Sequence, residues 1–452
     1  MDHFDPNEGR TFQQRYWVVD DYWERGNGAP VMLASGLYSP LIPSEYLEGS
    51  MSGIYKPALE QHRSLGILME HRYTGESLND AMRGDFSFAV NEQMVQDTKR
   101  LIEHVRETLQ VERLKWIVFG GSYGGVKSIV LRTELPDVVY AAVASSAPIA
   151  FEVSSEYDSH IGRVFADPSI GGSQACANRI RDGYDRIDQL LDNYDYATLR
   201  KDFNICPDVT LQRNEKDMWA LAFHLHSILD QLTGLSYLST APPGYNPTLV
   251  ACSSSAVPQF DPYSELGRLH DWLTYATTGK GCARLQVNYR WWLDNFNNSL
   301  MWEYCHVNGR IDYCDRRNGC IGSKHASAFG WFSLCRDLFG TSESQVRQAA
   351  CRFHENYGGR APKATRLILT QGGADGYSAI GVNASFPAKE IHTKIVSLGG
   401  HVVDMARPSP FDPQVLTEAR RWSLQLLERF VEEARDTRTV WDNISEAIEF
   451  DR

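Results

Sequence analysis

A chain of 452 residues, 42% hydrophobic and 23% charged, has the composition of a globular protein with a large core. Its formal net charge of −12 argues against nucleic acid as a partner, because phosphate binding needs a basic surface. The sequence has no apolar run of about 18 residues, so we expect no membrane span. The polar opening from Met1 to Asp5 is not a signal peptide. We therefore expect either a cytosolic protein or a targeting segment removed before this numbering begins.

The first 150 residues alternate short apolar runs with one long amphipathic segment. Val95, Ile102 and Leu109 recur at helical spacing in that segment, and Asn91 precedes it as a candidate N-cap. The predicted elements are strands at 30–34, 65–69, 115–119 and 138–144, and a helix at about 92–109. Strand, helix and strand in this order predict a parallel sheet covered by helices.

This alternation stops after about residue 150 and resumes near residue 362. Strands are predicted at 367–370 and 394–398, and Asp412-Pro413 opens a final helix as N-cap and first-turn proline. We therefore expect an α/β fold in which residues 1–150 and 362–452 form one catalytic sheet domain. Residues 151–361 are expected to form an inserted, mainly helical cap domain.

All nine cysteines lie within that insertion, which favours disulfide bonds in one irregular region. The alternative is a set of free thiols in a cytosolic enzyme. No Cys-x-x-Cys pair occurs, so a zinc site is not expected, and an odd number leaves at least one thiol unpaired in a monomer. The cysteines are Cys176, Cys206, Cys252, Cys282, Cys305, Cys314, Cys320, Cys335 and Cys351. Three glycosylation sequons, at Asn297, Asn383 and Asn443, are compatible with secretion.

Strand 115–119 runs into Gly120-Gly121-Ser122-Tyr123-Gly124-Gly125 and then into a predicted helix. Gly-x-Ser-x-Gly between a strand and a helix is typical of a nucleophile elbow, in which a strained turn exposes the serine hydroxyl. Ser122 is therefore the predicted nucleophile, and the backbone N–H of Tyr123 is a predicted oxyanion donor. A glycine-rich turn without chemistry is the alternative; a phosphate-binding loop is disfavoured because no Gly-Lys-Ser/Thr follows.

A serine nucleophile needs a base, and in this architecture the acid and then the histidine follow it along the chain. His401 lies after the last strand and before the final helix, as a base should, whereas His392 precedes that strand. Asp375 directly follows strand 367–370 and is the predicted acid. Asp404, three residues after His401, is its rival.

These motifs resemble the serine peptidase family of lysosomal Pro-X carboxypeptidase, dipeptidyl peptidase II and the fungal acid prolyl endopeptidases. The resemblance spans nearly the whole chain. Its motifs are Asp2-His3-Phe4 with residues 11–17 and 22–23, the block Glu70-His71-Arg72-Tyr73-Thr74-Gly75-Glu76-Ser77, the elbow around Ser122, and Gly399-Gly400-His401 with Asp404. The family implies an α/β-hydrolase fold with a disulfide-bearing helical cap. It also implies cleavage after proline in lysosomes or outside the cell. In that family Asp-His-Phe follows a signal peptide, so we expect that Met1 is not the natural start of the chain.

The chain departs from the family at three places, and the last two departures bear on specificity. Gly-Gly-Glu after the early strand reads Ser35-Gly36-Leu37 here, which leaves a second oxyanion donor near Gly36 as an expectation. A methionine four residues after the nucleophile is Val126, and Asp-Pro-Trp reads Asp375-Gly376-Tyr377. Val126 and Tyr377 fall where the resemblance implies a proline pocket, so we expect that pocket to be wider than is usual in the family.

The predicted reaction is acyl transfer to a serine, with a peptide or protein as substrate and no metal or cofactor. An esterase or lipase on the same fold is the first alternative, because a fold does not determine a substrate. A catalytically silent binding protein is the second. The sequence leaves open whether cleavage is exo or endo and whether the chain forms a homodimer.

Overall fold

The computed structural model describes residues 1–36, 40–111, 114–234, 251–252, 261–279, 281–295, 298–397 and 399–450, with side chains in the last helix as far as residue 435. None of the helices described has the length and apolar character needed to cross a membrane. The strands and helices alternate at both ends of the chain, and helices dominate its middle part.

The strands form one large sheet and one small one. They are β1 (Tyr16–Val19), β2 (Val31–Ser35), β3 (Gly66–Met69), β4 (Trp116–Gly121), β5 (Val139–Ser145), β6 (Val153–Ser154), β7 (Ile311–Asp312), β8 (Leu367–Gly372) and β9 (Ile391–Val396). The large sheet has the order β1-β3-β2-β4-β5-β8-β9. Only β1 runs antiparallel within it, and β6 pairs with β7 separately. Strands from both ends of the chain therefore build a single sheet.

The helices lie on both faces of this sheet and across the inserted region. They are α1 (Pro43–Leu47), α2 (Tyr55–His62), α3 (Asn91–Leu109), α4 (Tyr123–Glu134), α5 (Glu156–Ala166), α6 (Gln174–Asp192), α7 (Tyr196–Asp202), α8 (Glu215–Gly234), α9 (Pro262–Thr278), α10 (Tyr289–Asn295), α11 (Asn298–His306), α12 (Ala328–Phe339), α13 (Glu343–Tyr357) and α14 (Gln414–Phe450). The helices from α5 to α13 all belong to the segment between β5 and β8.

Side-chain alternation along the strands explains why both sheet faces are covered. Val31 and Leu33 of β2 pack with α3 and α4, whereas Met32 and Ala34 pack with α2 and α14. All four side chains are fully buried. A parallel strand buried on both faces reads as a continuous apolar run, as this one does. The mixed sheet, its two helical layers and the elbow after β4 confirm the predicted α/β-hydrolase fold.

Four disulfides lie in the helical region between β5 and β8 and confirm that its cysteines are paired. They join Cys176 to Cys252, Cys206 to Cys282, Cys305 to Cys335, and Cys314 to Cys320. Cys351 is an exposed free thiol, as the odd cysteine count requires. Closing these loops reduces the conformational freedom of the unfolded chain and so stabilises the region.

Three local predictions were wrong. Asn91 does not cap α3, since its side-chain carbonyl accepts a hydrogen bond from Lys127 Nζ at 2.6 Å. The last strand begins earlier than predicted, so His392 lies within β9, paired with Ile368 of β8. The final helix begins at Gln414, and the carboxylate of Asp412 pairs with Arg420.

Candidate active site

Ser122 stands in a strained turn between β4 and α4. Its φ of 54° and ψ of −124° lie in a region that residues with a side chain rarely adopt. The turn is held from both sides, because the Ser122 N–H donates to Ser145 O at 2.8 Å and its carbonyl accepts from Val126 N at 3.1 Å. Such strain persists only where the surroundings enforce it, and it presents the serine side chain at the carboxyl end of the sheet.

Close packing explains the glycine two residues before the serine. A Cβ on Gly120 would lie 2.1 Å from the carbonyl oxygen of Gly124, well inside contact distance. β4 and α4 therefore cross at a separation that no other residue permits at this position.

His401 and Asp375 meet at the ends of β9 and β8. The distance between His401 Nδ1 and Asp375 Oδ2 is 2.8 Å, and Asp375 is 2% exposed whereas the His401 side chain is 26% exposed. The second oxygen of Asp375 accepts the Tyr377 N–H at 3.0 Å, which fixes the carboxylate. The Asp375 carboxylate thus holds the imidazole at Nδ1.

The loops that carry Asp375 and His401 also pack on one another and on the turn at Ser122. Ala374 N donates to Gly399 O at 2.9 Å, which joins the loop after β8 to the loop after β9. A Cβ on Gly121 would lie 2.8 Å from a methyl of Val402, so the residue after His401 packs against the residue before Ser122.

Asp404 has other partners. Its carboxylate accepts hydrogen bonds from Ser145 Oγ and from Thr370 Oγ1, the latter at 2.7 Å, and it is 2% exposed. These bonds tie the loop after β9 to the ends of β5 and β8. His392 contacts Arg429 instead, at 3.1 Å. The geometry therefore pairs His401 with Asp375 and leaves Asp404 to hold the loop in place.

The two expected oxyanion donors, the N–H groups of Tyr123 and Gly36, have different surroundings in the structure. Tyr123 is the first residue of α4, at the end of the helix where the dipole favours negative charge. The Gly36 N–H instead donates to Met69 O at 2.8 Å and extends the pairing of β2 with β3. The structure thus uses the Gly36 N–H in the sheet, and Leu37 lies outside the described residues.

The two expected pocket residues lie in different surroundings. Val126 is 2% exposed and packs in the main core with Val31 and Met69. Tyr377 is half-buried, and its ring centre lies 4.5 Å from that of His401. Tyr377 alone of the two borders the imidazole.

Gly376 makes room for a tyrosine of the inserted segment. A Cβ at Gly376 would lie 2.6 Å from the ring of Tyr157, and the ring centres of Tyr157 and Tyr377 are 4.8 Å apart. The proline that the family carries at this position would collide with the Tyr157 ring. The altered Asp375-Gly376-Tyr377 sequence and Tyr157 are therefore one packing unit.

Sequence reasoning missed a buried ionic network behind the elbow. Glu303 of α11 accepts from Tyr123 Oη at 2.5 Å and from Lys127 Nζ at 3.0 Å. The side chains of Lys127 and Glu303 are 1% and 2% exposed. His71 Nε2 lies 3.2 Å from Tyr123 Oη, and burial lowers the pKa of His71 to about 4. The inserted region thus reaches the residue next to Ser122 through a buried carboxylate.

The first two family motifs meet beside this network. Arg72 Nε and Nη2 donate to Asp97 at 2.6 and 2.8 Å, and His3 Nε2 lies 2.7 Å from the same carboxylate. Glu70, fully buried, accepts from Arg15 at 2.6 Å and from the Ser77 hydroxyl at 2.9 Å. These motif residues therefore support the site from behind.

One group of potential metal ligands occurs among the described residues, formed by His226, Cys314 and Cys320. The two cysteines are joined in a disulfide, and His226 Nε2 lies 2.7 Å from Asp158. Disulfide sulfurs are not the thiolates that bind metals. This arrangement gives no reason to revise the expectation of a serine-based mechanism.

Comparison with known proteins identifies the family of this chain. Residues 1–422 match the family model described as Serine carboxypeptidase S28. The thymus-specific serine protease of Homo sapiens is 25% identical over 458 residues, which cover 97% of this chain and 86% of that protein. The lysosomal Pro-X carboxypeptidase of Homo sapiens is 24% identical over 449 residues, covering 97% and 88%.

Among solved structures, the acetyl esterase MekB shares 13% identity at a TM-score of 0.37, covering 91% of this chain and 90% of its own. That score carries no argument about function. The family match spans almost the whole chain. The chain belongs to the serine carboxypeptidase S28 family and is a serine-type peptidase.

Proposed function

We propose that this peptidase hydrolyses the peptide bond that follows proline, with Ser122, His401 and Asp375 as its catalytic triad. The main support for this triad is the hydrogen bond of 2.8 Å between His401 and Asp375, together with the strained turn at Ser122. The names of the relatives support the specificity, since one of them is a Pro-X carboxypeptidase.

The proposed mechanism assigns one role to each group. His401 Nε2 removes the proton from Ser122 Oγ as the oxygen attacks the scissile carbonyl. Asp375 holds Nδ1, which selects the imidazole tautomer and stabilises the imidazolium. The Tyr123 N–H, at the start of α4, stabilises the oxyanion. His401 then protonates the leaving amine and afterwards activates a water molecule that hydrolyses the acyl-enzyme.

The residue before the cut is proposed to lie against Tyr377. Its ring borders His401 on one side and Tyr157 on the other. Residues 151–361 are proposed to act as a cap that supplies Tyr157 and closes this side of the cleft. A rigid proline ring loses little freedom when it packs on such a wall, and one methylene of mismatch changes transition-state binding by about 1–3 kcal/mol. Because Tyr377 is smaller than tryptophan, alanine is proposed as a second, poorer residue.

The compartment is proposed to be the lysosome or the outside of the cell. Four disulfides persist in oxidising compartments, and one relative is a lysosomal protein by name. Asn383 is exposed, as a glycosylation site must be. Asn297 and the side chain of Asn443 lie outside what the structure describes.

The test is a pair of acetylated dipeptide amides that differ only in proline or alanine before the cut. The prolyl amide should have the higher kcat/KM. Acyl esters of matched size should show no stronger preference between proline and alanine. The pair is also made with a free N-terminus and with a free C-terminal carboxylate. Hydrolysis of none of these forms, with hydrolysis of the ester, would refute the post-proline proposal and favour an esterase.

A further inference from the structure

Helix α5 of the inserted region lies along the loop that carries Asp375. One face of this helix carries Tyr157, His160 and Val164, which follow each other at intervals of three and four residues. The ring of Tyr157 packs beside the residue after Asp375, and Val164 packs with the residue before it in a small buried cluster. The same face of α5 therefore contacts the loop on both sides of the proposed catalytic acid.

His160 adds a directed polar contact to this packing. Its Nε2 lies 2.9 Å from the carbonyl oxygen of Gly373, two residues before Asp375. A carbonyl oxygen can only accept a hydrogen bond, so Nε2 carries the hydrogen and donates it. A side chain of the inserted region thus holds the backbone that leads directly to Asp375.

The opposite side of the same peptide unit is fixed by the sheet domain. The Gly373 N–H donates to Val396 O at 2.8 Å, at the end of β9. A Cβ on Gly373 would lie 2.3 Å from the carbonyl oxygen of Ser397, so the two backbones are in close contact there. Gly373 is therefore held between β9 on one side and α5 on the other.

Packing alone does not require a histidine at this place. An apolar side chain on α5 would fill the space without removing a polar ring from water. Burial lowers the pKa of His160, as expected for an imidazole that loses contact with solvent. What histidine supplies, and an apolar residue does not, is the donor to Gly373 O. That donor acts close to Asp375, whose carboxylate lies 2.8 Å from His401 Nδ1.

We propose that His160 is a positioning residue, which fixes the loop from the inserted region and so places the Asp375 carboxylate against His401. This inference rests on the proposed triad and is independent of the proposed preference for proline. Without the bond, the Gly373 carbonyl is free to turn and Asp375 shifts relative to the imidazole. A misplacement of about 1 Å in a catalytic group can lower turnover by about 10²-fold. The remaining contacts of Tyr157 and Val164 should limit that shift.

Two amide variants test the bond, because they differ by one methylene group in reach. The amide nitrogen of glutamine stands near the position of Nε2 and can donate to Gly373 O, whereas that of asparagine stands near Nδ1 and falls short. His160→Gln should keep kcat on a prolyl amide within about twofold of the wild type. His160→Asn should lower kcat by about tenfold, the effect of one lost hydrogen bond, and change KM by less than about twofold. His160→Met, which fills the site without a donor, should behave like His160→Asn.

His325→Asn is the matched control. His325 also belongs to the inserted region and is half-buried, but its Nε2 lies 2.8 Å from the carboxylate of Asp192 in α6. This variant should leave both kcat and KM unchanged. Thermal unfolding is measured for every variant, so that turnover is compared only among folded proteins.

A double-variant cycle with Asp375→Asn shows whether His160 acts through the acid. The readout is the rate at which a fluorophosphonate labels Ser122, which does not depend on the residue before a cut. His160→Asn should slow labelling by about tenfold in the wild-type background. It should have little further effect in the Asp375→Asn background, because the group that it positions is already lost.

Equal kcat in the Gln and Asn variants, a loss that lies in KM, or additive effects with Asp375→Asn would overturn the role of His160 and leave the triad standing. Failure of both His160→Asn and His160→Met to fold would show a structural role and overturn it as well. Asp375→Asn alone tests the triad: labelling at the wild-type rate would refute the triad, and the His160 proposal with it. If no amide is cleaved, the post-proline proposal fails separately and the labelling rates still decide the role of His160.

Discussion

The buried pair of Lys127 and Glu303 should be among the costliest single sites to disrupt outside the proposed triad. Both side chains are almost fully excluded from water, and their charged atoms are 3.0 Å apart. Glu303→Gln leaves Lys127 as an uncompensated buried cation, and the loss of one partner of such a pair costs about 3–5 kcal/mol of unfolding free energy. Tyr123 Oη also loses its carboxylate acceptor, so the start of α4 should shift.

The assay combines urea denaturation with steady-state hydrolysis of a prolyl amide. We expect Glu303→Gln to lower the unfolding free energy by about 3 kcal/mol or more and to reduce kcat more than it raises KM, because Tyr123 supplies the proposed oxyanion donor. Glu60→Gln is the control. Glu60 pairs with Lys56 at 3.9 Å on the surface of α2, where an ion pair contributes about 0–1 kcal/mol.

The double variant Lys127→Met with Glu303→Leu separates the charge effect from the packing effect. It removes both buried charges together, so its cost should be well below the sum of the two single losses. A cost of under about 1 kcal/mol for Glu303→Gln, similar to the surface control, would refute this reasoning. Additive losses in the double variant would do the same.

Three further results are expected. Thiol titration of denatured, unreduced protein should find one group, Cys351, and eight further groups only after reduction; several free thiols before reduction would contradict the pairing. Gly376→Ala should lower kcat/KM for prolyl substrates, because the new methyl displaces the Tyr157 ring, and wild-type kinetics in this variant would argue against that packing. Asp375→Asn should reduce kcat by about 10⁴-fold, whereas Asp404→Asn should mainly reduce stability; the reverse order would exchange their roles.

Local sequence patterns were sufficient to predict the strained turn at Ser122 and the proximity of Asp375 to His401. A serine between a strand and a helix, with glycine two residues before it, adopts the observed turn because its neighbours leave no other geometry. Asp375 and His401 follow successive strands, and parallel strands end at the same edge of a sheet. Their proximity in the structure follows from topology alone.

Contacts between distant parts of the chain could not be predicted from the sequence. Glu303 is 180 residues from Tyr123, and nothing in its local pattern marks it as a buried acceptor. The hydrogen bond from the Gly36 N–H to the carbonyl oxygen of Met69 depends on the register of β2 against β3. Disulfide connectivity is likewise a property of the folded chain, because many pairings fit the same spacing. These features depend on tertiary packing, which periodicity does not encode.

The central claim is that Ser122 attacks the substrate with His401 as its base, and the turnover of Ser122→Ala tests it most directly. The variant should unfold at the same temperature as the wild type, bind no fluorophosphonate probe at the elbow, and lose about 10⁴-fold or more in kcat on a prolyl amide. A folded Ser122→Ala enzyme that keeps more than about a tenth of wild-type turnover, after purification free of other peptidases, would contradict the account.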